Sequence, residues 1–252
     1  MSARGERSKV ATYFISDLHL DASRPWVVRA LSVFLQDRRD AHALYILGDL
    51  FEFWVGDDDD SELVTQVADL LADYSAAGPE LYLMHGNRDF LIGEAFAARV
   101  GAQLLPDPSV VMLGREKQLL THGDSLCTRD EDYQAFRKIA RSSEWQTQML
   151  AQSLDDRRQL AQKLRMASRD AGSRKAADIM DVTETEVLAL MRENDCTTMI
   201  HGHTHRPARH ENSAGLRWVL GDWDAQGWYL QWQDNALALE TFAIAEHASS
   251  AS

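Results

Sequence analysis

Short apolar runs alternate with longer amphipathic segments along much of the chain. Five of these runs are β-rich and each leads into a polar cluster: YFIS before Asp17, LYILG before Asp49, LYLMHG before Asn87, QLLT before His122 and TMIHG before His203. Between them, residues 25–38, 61–76 and 183–193 have the spacing typical of amphipathic helices. The alternation predicts an α/β sheet, in which the polar clusters gather along one edge.

The pattern changes in two places. Residues 131–180 are rich in Gln, Arg, Ala and Leu and nearly lack β-branched residues, which predicts two or three helices inserted between the strands that end at His122 and His201. After Trp218, closely spaced strands without helices suggest antiparallel pairing beside the first sheet. We therefore expect a single domain over residues 1–252 with a helical insertion, and a disordered tail over 243–252.

Composition predicts a folded protein that stays in the cytoplasm. With 252 residues, 45% of them hydrophobic, the chain can bury a sizeable core. The charged N-terminus leads only into the apolar stretch Val10 to Ile15, which is too short for a signal or transmembrane segment. Cys127 and Cys196 form no CxxC pair and are interpreted as small buried hydrophobes in a reducing compartment.

The net charge of −13 argues against a nucleic-acid partner, because such binding needs Lys and Arg to neutralise phosphates. The charge is unevenly distributed. From Arg137 to Lys175 there are ten basic and four acidic residues, a net charge of +6, so the remainder carries −19. The acidic run Asp57 to Asp60 is interpreted as a solvated loop, with Asp60 or Ser61 capping the next helix.

The polar clusters supply seven candidate metal ligands: Asp17, His19, Asp49, Asn87, His122, His203 and His205. One His at a strand end is more often structural than a ligand, but seven such side chains at successive strand ends are hard to explain that way. Asp17 and His19 lie two residues apart, as do His203 and His205, so each pair can face one region. Asp49, between these sets, could bridge two cations.

The types of ligand indicate which metal they bind. Carboxylate, imidazole and amide groups together suit Mn²⁺, Fe²⁺ or Zn²⁺, whereas Mg²⁺ usually prefers oxygen ligands and water. We expect two divalent metal ions, with Mn²⁺ preferred. His85 and His201 precede ligand loops but lie within apolar strands, so they are interpreted as structural.

The combination of motifs is more specific than any one of them. Asp17-x-His19, Gly48-Asp49, Gly86-Asn87-Arg88-Asp89, His122 and Gly202-His203-x-His205 together resemble the calcineurin-like metallophosphoesterases, over residues 11 to about 210. The resemblance implies a four-layer αββα sandwich. It also implies that one metal is held by Asp17, His19, Asp49 and His205, and the other by Asp49, Asn87, His122 and His203. Residues 85–90, HGNRDF, would by themselves be typical of a turn, but the resemblance implies that they form part of the metal site.

Arg88 stands where many members of that superfamily carry His. A His can protonate an alkoxide leaving group, whereas Arg stays protonated at any working pH. An enzyme without that acid suits a leaving group that is already stable, such as a phosphate. A guanidinium can also neutralise charge as the bond between two phosphates breaks. Arg88 therefore favours a pyrophosphate bond over a phosphomonoester.

Longer stretches carry a closer resemblance. GDLFEFWVGDDDD (48–60), GNRDF, DEDYQAFRKIAR (130–141) and IMDVT (179–183) are similar to the UDP-2,3-diacylglucosamine hydrolases of Gram-negative lipid A synthesis, and the similarity covers nearly the whole chain. It implies cleavage of the pyrophosphate to UMP and 2,3-diacylglucosamine 1-phosphate by a hydroxide that two metals activate. It also implies a peripheral protein on the cytoplasmic face of the inner membrane.

The same resemblance implies which residues contact the substrate. The contacts carry over to Asn87, Arg88, Asp130, Ser168, Lys175 and His203, and Gly172 stands where the family has a polar residue, often Asn. The catalytic candidates are Arg88, Asn87, Asp49 and His203.

The resemblance also gives the insertion a role as a lid. Its basic residues could meet phosphates and anionic head groups, and its apolar side chains could meet acyl chains. Those apolar side chains are Trp145, Met149, Leu150, Leu154, Leu160, Leu164 and Met166. In the alternative interpretation, the same residues simply pack on the domain.

Two rival functions remain open. A phosphodiesterase or nuclease of the same fold is disfavoured by the acidic composition and by Arg88. An inactive adaptor predicts missing ligands, yet all seven candidates are present. The expected partners are the UDP-linked diacylated glucosamine and the inner-membrane surface, with no nucleic acid and no obligatory protein partner.

Overall fold

The described part of the chain forms eleven strands and seven α-helices. The computed structural model describes residues 10–172 and 179–245, with the backbone alone for 167–172. The strands are β1 (Thr12–Ile15), β2 (Ala43–Leu47), β3 (Glu80–Met84), β4 (Ala102–Leu105), β5 (Ser109–Leu113), β6 (Glu116–Thr121), β7 (Thr198–His201), β8 (Ala208–Asn212), β9 (Gly215–Val219), β10 (Gln226–Gln233) and β11 (Ala236–Ala243). The helices are α1 (Pro25–Gln36), α2 (Glu62–Ala76), α3 (Glu94–Arg99), α4 (Glu131–Ala140), α5 (Ser143–Leu150), α6 (Leu154–Gly172) and α7 (Glu184–Glu193). The helices predicted at 25–38, 61–76 and 183–193 correspond to α1, α2 and α7.

The strands form two sheets whose central strands run parallel. The first has the order β11-β10-β1-β2-β3-β4, in which β1 to β4 are parallel and β10 and β11 are antiparallel. The second has the order β5-β6-β7-β9-β8, in which β6, β7 and β9 are parallel and the two edge strands are antiparallel. Because parallel strands of one sheet end at the same edge, the loops that follow them can meet there.

Three clusters of buried apolar side chains separate four layers. Between the sheets, the cluster includes Phe14, Tyr45, Leu47, Leu120, Ile200 and Trp218. The neighbouring residue Ile15 faces the other side of the first sheet and packs with Leu31 of α1, because successive strand residues point to opposite faces. On the outer face of the second sheet, Met199 packs with Val187 of α7. The order of layers is helix, sheet, sheet, helix, as the resemblance implied.

The described part of the insertion consists of α4, α5 and α6. α6 docks on the loop between β2 and α2 through Arg157, which is 3% exposed. Arg157 Nη1 donates to Val55 O at 2.6 Å and to Asp58 Oδ1 at 2.7 Å, while its Nε donates to Gln152 O at 3.1 Å. These contacts fix the start of α6 against the α/β body.

The acidic run Asp57 to Asp60 is only partly the solvated loop that the sequence predicted: Asp58 and Asp60 are exposed, but all four carboxylates have partners within the protein. Asp57 accepts hydrogen bonds from the N–H groups of Gly93 and Phe96 at the start of α3. Residues 58–60 form ion pairs with the two arginines near the start of α6. Ser61 caps α2, as predicted, by accepting from Val64 N at 3.4 Å. The counter-ions come from a distant part of the chain, so the local pattern could not reveal them.

The chain after residue 214 differs from prediction in two respects. Trp218 lies on β9, which pairs parallel with β7 and antiparallel with β8 in the second sheet, so this strand is not beside the first sheet. β10 and β11 do extend the first sheet in antiparallel pairing, as predicted. Ile244 is buried and its N–H donates to Ala225 O at 3.0 Å, so the tail predicted from residue 243 is ordered at its start. Residues 246–252 lie outside the described residues.

Arg157→Met should loosen α6 without unfolding the sheets. The substitution keeps an apolar stem but leaves Val55 O and Asp58 without their donor, and an unmade buried hydrogen bond costs about 1–3 kcal/mol. We expect faster limited proteolysis within the insertion and a small change in melting temperature. Lys163→Met, at an exposed position of the same helix, is the control. Equal cleavage rates for both variants and the parent would contradict this account of docking.

Candidate metal centre and its pocket

Each candidate ligand lies in a loop that follows a parallel strand. β1 precedes Asp17 and His19, β2 precedes Asp49, β3 precedes Asn87, β6 precedes His122, and β7 precedes His203 and His205. Within the first sheet, Asp17 N–H donates to Gly48 O at 3.1 Å and His19 N–H donates to Asp49 O at 3.0 Å. From the second sheet, His203 N–H donates to Asp17 Oδ2 at 2.9 Å. The loops of the two sheets therefore come together at Asp17.

Among the described residues, eight non-glycine residues have positive φ, and five of them are candidate ligands. The angle is 56° at Asp17, 48° at His19, 53° at Asp49, 66° at His203 and 53° at His205. This left-handed conformation is uncommon outside glycine and costs free energy. Its concentration on these five positions indicates that the loops are shaped to aim particular side chains.

The first group of ligand atoms comes from Asp17, His19 and His205. Asp17 Oδ1 lies 3.3 Å from His205 Nε2 and 3.9 Å from His19 Nε2, and the two Nε2 atoms are 3.3 Å apart. Asp17 is fully buried, yet its Oδ1 makes no hydrogen bond of good geometry within the described residues. A buried carboxylate oxygen that faces two imidazole nitrogens fits a divalent cation.

The second group contains Asp49, Asn87, His122 and His203. Asp49 Oδ2 lies 3.7 Å from His122 Nε2 and 3.9 Å from His19 Nε2, so one oxygen faces both groups. Asn87 Oδ1 lies 3.0 Å from His122 Nε2 and 2.8 Å from His203 Nδ1. His122 Nδ1 lies 2.8 Å from Leu47 O and must donate to that carbonyl, which leaves Nε2 available as a ligand. All seven predicted ligands thus lie together.

Glycines let the loops approach these carboxylates. A Cβ atom at position 86 would lie 2.0 Å from Asp49 Oδ1. At Gly202, it would lie 2.2 Å from Asp17 Oδ2. Any side chain at either position would displace a carboxylate that belongs to the ligand set. Gly86 and Gly202 are therefore as necessary to the cluster as the ligands that they adjoin.

The charges of the cluster favour bound cations. Burial opposes protonation of His122, but Asp49 and Asp17 outweigh burial and raise its pKa to about 9. Burial also opposes protonation of His205, but its interaction with the Asp17 carboxylate outweighs burial and raises the pKa of His205 to about 9. Burial and the neighbouring His122 lower the pKa of His203 to about 3. The carboxylates draw positive charge onto nearby imidazoles, and a metal ion would take the place of those protons.

The HGNRDF loop is held in shape by Asp89. Its carboxylate accepts from Gly86 N at 2.8 Å and from Leu50 N at 2.7 Å, so its partners are backbone groups of the ligand loops. Arg88 N–H donates to Asp49 Oδ1 at 2.8 Å. The Arg88 side chain lines the pocket described below, and its Nε is buried without a hydrogen bond among the described residues. Arg88 therefore offers an unused donor to a ligand.

His85 and His201 make structural contacts, in agreement with the sequence interpretation. His85 Nε2 lies 2.7 Å from Ile92 O. His201 Nδ1 lies 2.9 Å from Gly202 O, and its Nε2 accepts from Arg217 Nη1 at 3.1 Å. Burial and Arg217 lower the pKa of His201 to about 4, which keeps this imidazole neutral.

Two carboxylates that support the ligands were missed by sequence reasoning. Glu52 Oε2 lies 3.2 Å from His19 Nδ1, across the ring from the candidate ligand atom Nε2. Asp222 Oδ2 lies 3.6 Å from His205 Nδ1. Such carboxylates orient a ligating imidazole and fix its tautomer. The only signal for Glu52 was its place three residues after Asp49.

A pocket of about 600 Å³ opens from the ligand cluster toward the insertion. At the cluster it is lined by Asn87, Arg88, His203 and His205. Its apolar lining comes from Phe90, Leu91, Phe136, Trp145, Met149, Ala161 and Leu164. Volumes of about 300–1,000 Å³ are typical of small-molecule sites. The pocket therefore suits a ligand with a charged end and an apolar remainder.

The predicted substrate contacts are partly within the described side chains. Asn87, Arg88, Asp130 and His203 all line the pocket. Asp130 also caps α4 by accepting from Tyr133 N at 3.1 Å. Ser168 and Gly172 lie on α6 where the backbone alone is described, and Lys175 lies outside the described residues.

The apolar side chains of the insertion divide between packing on the domain and lining the pocket. Met149 is buried and Leu160 packs against the main core. Trp145 lies with its ring centroid 5.9 Å from that of Phe90 and, like Leu164, lines the pocket. Packing and lining are thus combined in the same helices.

Several arginines of the insertion bind acceptors of the protein itself, and Arg165 also lines the pocket. Arg137 Nε donates to Asp124 Oδ2 at 2.8 Å, and Arg141 Nη2 donates to Gly86 O at 2.9 Å. Arg165 Nε donates to Glu52 at 2.7 Å, and Arg157 and Arg158 bind the acidic run. Four of these five arginines bind carboxylates of the acidic body, and Arg141 binds a backbone carbonyl of the HGNRDF loop.

Comparisons with known proteins place this chain in a family. The family model for calcineurin-like phosphoesterases matches residues 11–207. The chain is 52% identical to a UDP-2,3-diacylglucosamine hydrolase of Chromohalobacter salexigens, over 90% of this chain and 95% of that protein. It is 50% identical to one of Cellvibrio japonicus, over 92% and 99% of the two chains. A solved archaeal phosphodiesterase is 11% identical with a TM-score of 0.49, over 92% of this chain and 100% of that one.

Asp49→Asn should abolish turnover while the fold is retained. The amide can still accept from Arg88 N, but it lacks the negative charge that faces both groups of ligands. We expect Mn²⁺ binding to weaken by about 100-fold or more, since losing even a supporting residue costs about 10–100-fold. Calorimetry and circular dichroism measure the two effects. A variant with more than about a tenth of the parent rate at saturating Mn²⁺ would contradict the bridging role.

Proposed function

Because the chain belongs to the calcineurin-like phosphoesterase family, we propose that it hydrolyses the pyrophosphate bond of UDP-2,3-diacylglucosamine. The products would be UMP and 2,3-diacylglucosamine 1-phosphate. The observation that carries the proposal is the pocket, which joins the metal-ligand cluster to an apolar lining built largely by the insertion. Relatives that share about half of their residues with this chain, over most of its length, bear the name of that activity.

The donor set fits two divalent cations, which we propose to be Mn²⁺. One ion would be held by Asp17, His19, Asp49 and His205, and the other by Asp49, Asn87, His122 and His203. Mn²⁺ is favoured because carboxylate, imidazole and amide donors occur together. When bound, such ions lower the pKa of water to supply a hydroxide nucleophile and polarise phosphoryl oxygens.

Arg88 supplies positive charge where the pyrophosphate would lie. Its guanidinium is always protonated, and its side chain lines the pocket beside the ligand cluster. Two donors in a rigid fork can bind the charge that develops as the bond between the phosphates breaks. Arg88 cannot protonate a leaving group, which suits a departing phosphate.

The diacyl end of the substrate would occupy the apolar part of the pocket. Phe90, Phe136 and Leu164 line this part, so the acyl chains would be withdrawn from water there. Asp130 lies at the same pocket and can accept a hydrogen bond from the sugar. Ser168, Gly172 and Lys175 complete the proposed substrate contacts, by resemblance alone.

We propose that the protein works on the cytoplasmic face of the inner membrane. No helix of the described residues is long and apolar enough to cross a bilayer. Four large apolar side chains in the described part of the insertion are nevertheless exposed: Ile139 is 57%, Leu150 43%, Met166 68% and Met180 38% accessible. Exposed apolar side chains on helices can enter the lipid interface, where a diacylated substrate resides.

The rival functions fit the molecule less well. A nuclease needs free cations along a groove, whereas the net charge is −13 and several arginines of the insertion bind the protein's own acceptors. An inactive adaptor has no use for seven converging ligands, five of which are aimed by left-handed backbone.

An assay with UDP-2,3-diacylglucosamine and its deacylated analogue, with and without Mn²⁺, tests the proposal. We expect UMP release that depends on Mn²⁺ and a much higher KM for the deacylated compound, because it lacks the groups that fill the apolar pocket. Hydrolysis of a cyclic dinucleotide or a nitrophenyl diester without UMP release from the nucleotide sugar would support the phosphodiesterase alternative instead.

Arg88→Ala should lower kcat/KM by about 10²–10³-fold, as loss of a transition-state charge donor does. Lys at this position should rescue only part, because it restores the charge without the planar fork. Mn²⁺ affinity should be unchanged in both variants, since Asp49 is contacted by the backbone N–H of Arg88. Full activity of Arg88→His, with a new dependence on alkaline pH, would mean that leaving-group protonation matters after all.

A further inference from the structure

Glu52 contacts two parts of the molecule that are far apart in sequence. Its Oε2 lies 3.2 Å from His19 Nδ1, and its Oε1 accepts from Arg165 Nε at 2.7 Å. The carboxylate side chain is 13% exposed, and its backbone N–H donates to Leu20 O at 3.1 Å, in the segment that follows His19. One carboxylate thus joins a candidate metal ligand to a helix of the insertion.

The orientation of His19 makes Glu52 a partner of the imidazole and not a metal ligand. His19 Nε2 faces Asp17 and Asp49 at 3.9 Å each, so the ligand nitrogen points into the cluster. Nδ1 lies on the other side of the ring and must then carry the proton. The Glu52 carboxylate contacts that side of the ring without forming a hydrogen bond of good geometry among the described residues, and a carboxylate in this position favours the tautomer that carries its proton on Nδ1.

The second contact of Glu52, from Oε1 to Arg165, depends on the position of α6. Arg165 also places Nη1 3.5 Å from Asp21 Oδ2, so its guanidinium sits between two carboxylates of the α/β body. Arg157 and Arg158 anchor α6 near its start. Farther along the same helix, Arg165 reaches Glu52 beside the metal-ligand cluster.

We propose that Glu52 is a positioning residue that couples the docking of α6, through Arg165, to metal binding at His19. The proposal rests on the metal centre of the proposed function. When Arg165 binds Oε1, Glu52 is held with Oε2 against His19 Nδ1. When α6 moves away, Glu52 loses its second partner and holds the imidazole less firmly. Because coupling between two binding events is reciprocal, metal binding in turn holds α6 in place.

The first experiment measures Mn²⁺ binding by calorimetry on metal-depleted protein without substrate. Glu52→Gln keeps the shape but not the charge, and we expect it to weaken the binding of one Mn²⁺ by about 10–100-fold. Arg165→Met touches no candidate ligand, yet it should weaken the same ion by about 2–30-fold. In the double variant Glu52→Gln/Arg165→Met, the second substitution should add nothing, because its effect passes through Glu52.

Arg158→Met is the matched control for Arg165→Met. It removes the contacts of the same helix with Asp59 and Asp60, and among the described residues these contacts do not involve Glu52. We expect it to bind Mn²⁺ as the parent does. If Arg158→Met and Arg165→Met weaken Mn²⁺ binding equally, the effect comes from general loosening of α6 and the proposal is wrong.

Hydrogen exchange distinguishes coupling from a merely structural role. Adding Mn²⁺ to the parent should slow amide exchange in α6, and this effect should disappear in Glu52→Gln although both proteins are folded. Equal slowing in the two proteins would overturn the proposal. A parent protein that binds no Mn²⁺ would overturn the metal centre as well, whereas normal binding by Glu52→Gln alongside loss in Asp49→Asn would overturn only the coupling.

Discussion

Two carboxylates buried side by side, Asp17 and Asp49, impose the constraint on which the site depends. Both are at most 1% exposed, and a buried carboxylate is costly unless donors or cations surround it. Asp17 Oδ2 receives Ser16 Oγ and the backbone N–H of His203, and Asp49 Oδ1 receives the backbone N–H of Arg88. The remaining oxygens face imidazoles. Loops from both sheets must therefore come together around these two carboxylates. To do so, several of their residues adopt the unfavourable left-handed backbone conformation.

Compensation of charge also explains how the insertion is held. The α/β body is strongly acidic and the insertion is basic, so their opposite charges attract each other at long range, without any particular contact. Arg157 and Arg137 then make hydrogen bonds in fixed geometry, to the loop after β2 and to the loop after β6 respectively. Both of these loops lead from strands that carry metal ligands. The insertion is consequently attached to the active loops themselves and not to a remote face of the fold.

The sequence was sufficient where the signal is local. Each ligand lies just after a strand that the sequence marks with a short apolar run. The helices α1, α2 and α7 have clear amphipathic spacing. It was insufficient where two distant segments decide the outcome. Nothing near Asp58 indicates that Arg157 will bind it, and nothing near Trp218 shows that β9 joins the second sheet. Glu52 was passed over for the same reason, since both of its partners lie outside its own segment.

The inward-facing arginines have a consequence for the response to ionic strength. Arginines that bind the protein's own carboxylates are less available to a negatively charged bilayer, and the chain as a whole carries a net charge of −13. A protein of this charge is repelled by anionic lipid at long range, and salt shortens that repulsion to roughly 8 Å at physiological strength. Insertion of Ile139, Leu150 and Met166 into the lipid interface needs no such attraction. The proposed attachment would therefore tighten as salt is added, which is the reverse of what a polybasic peripheral protein does.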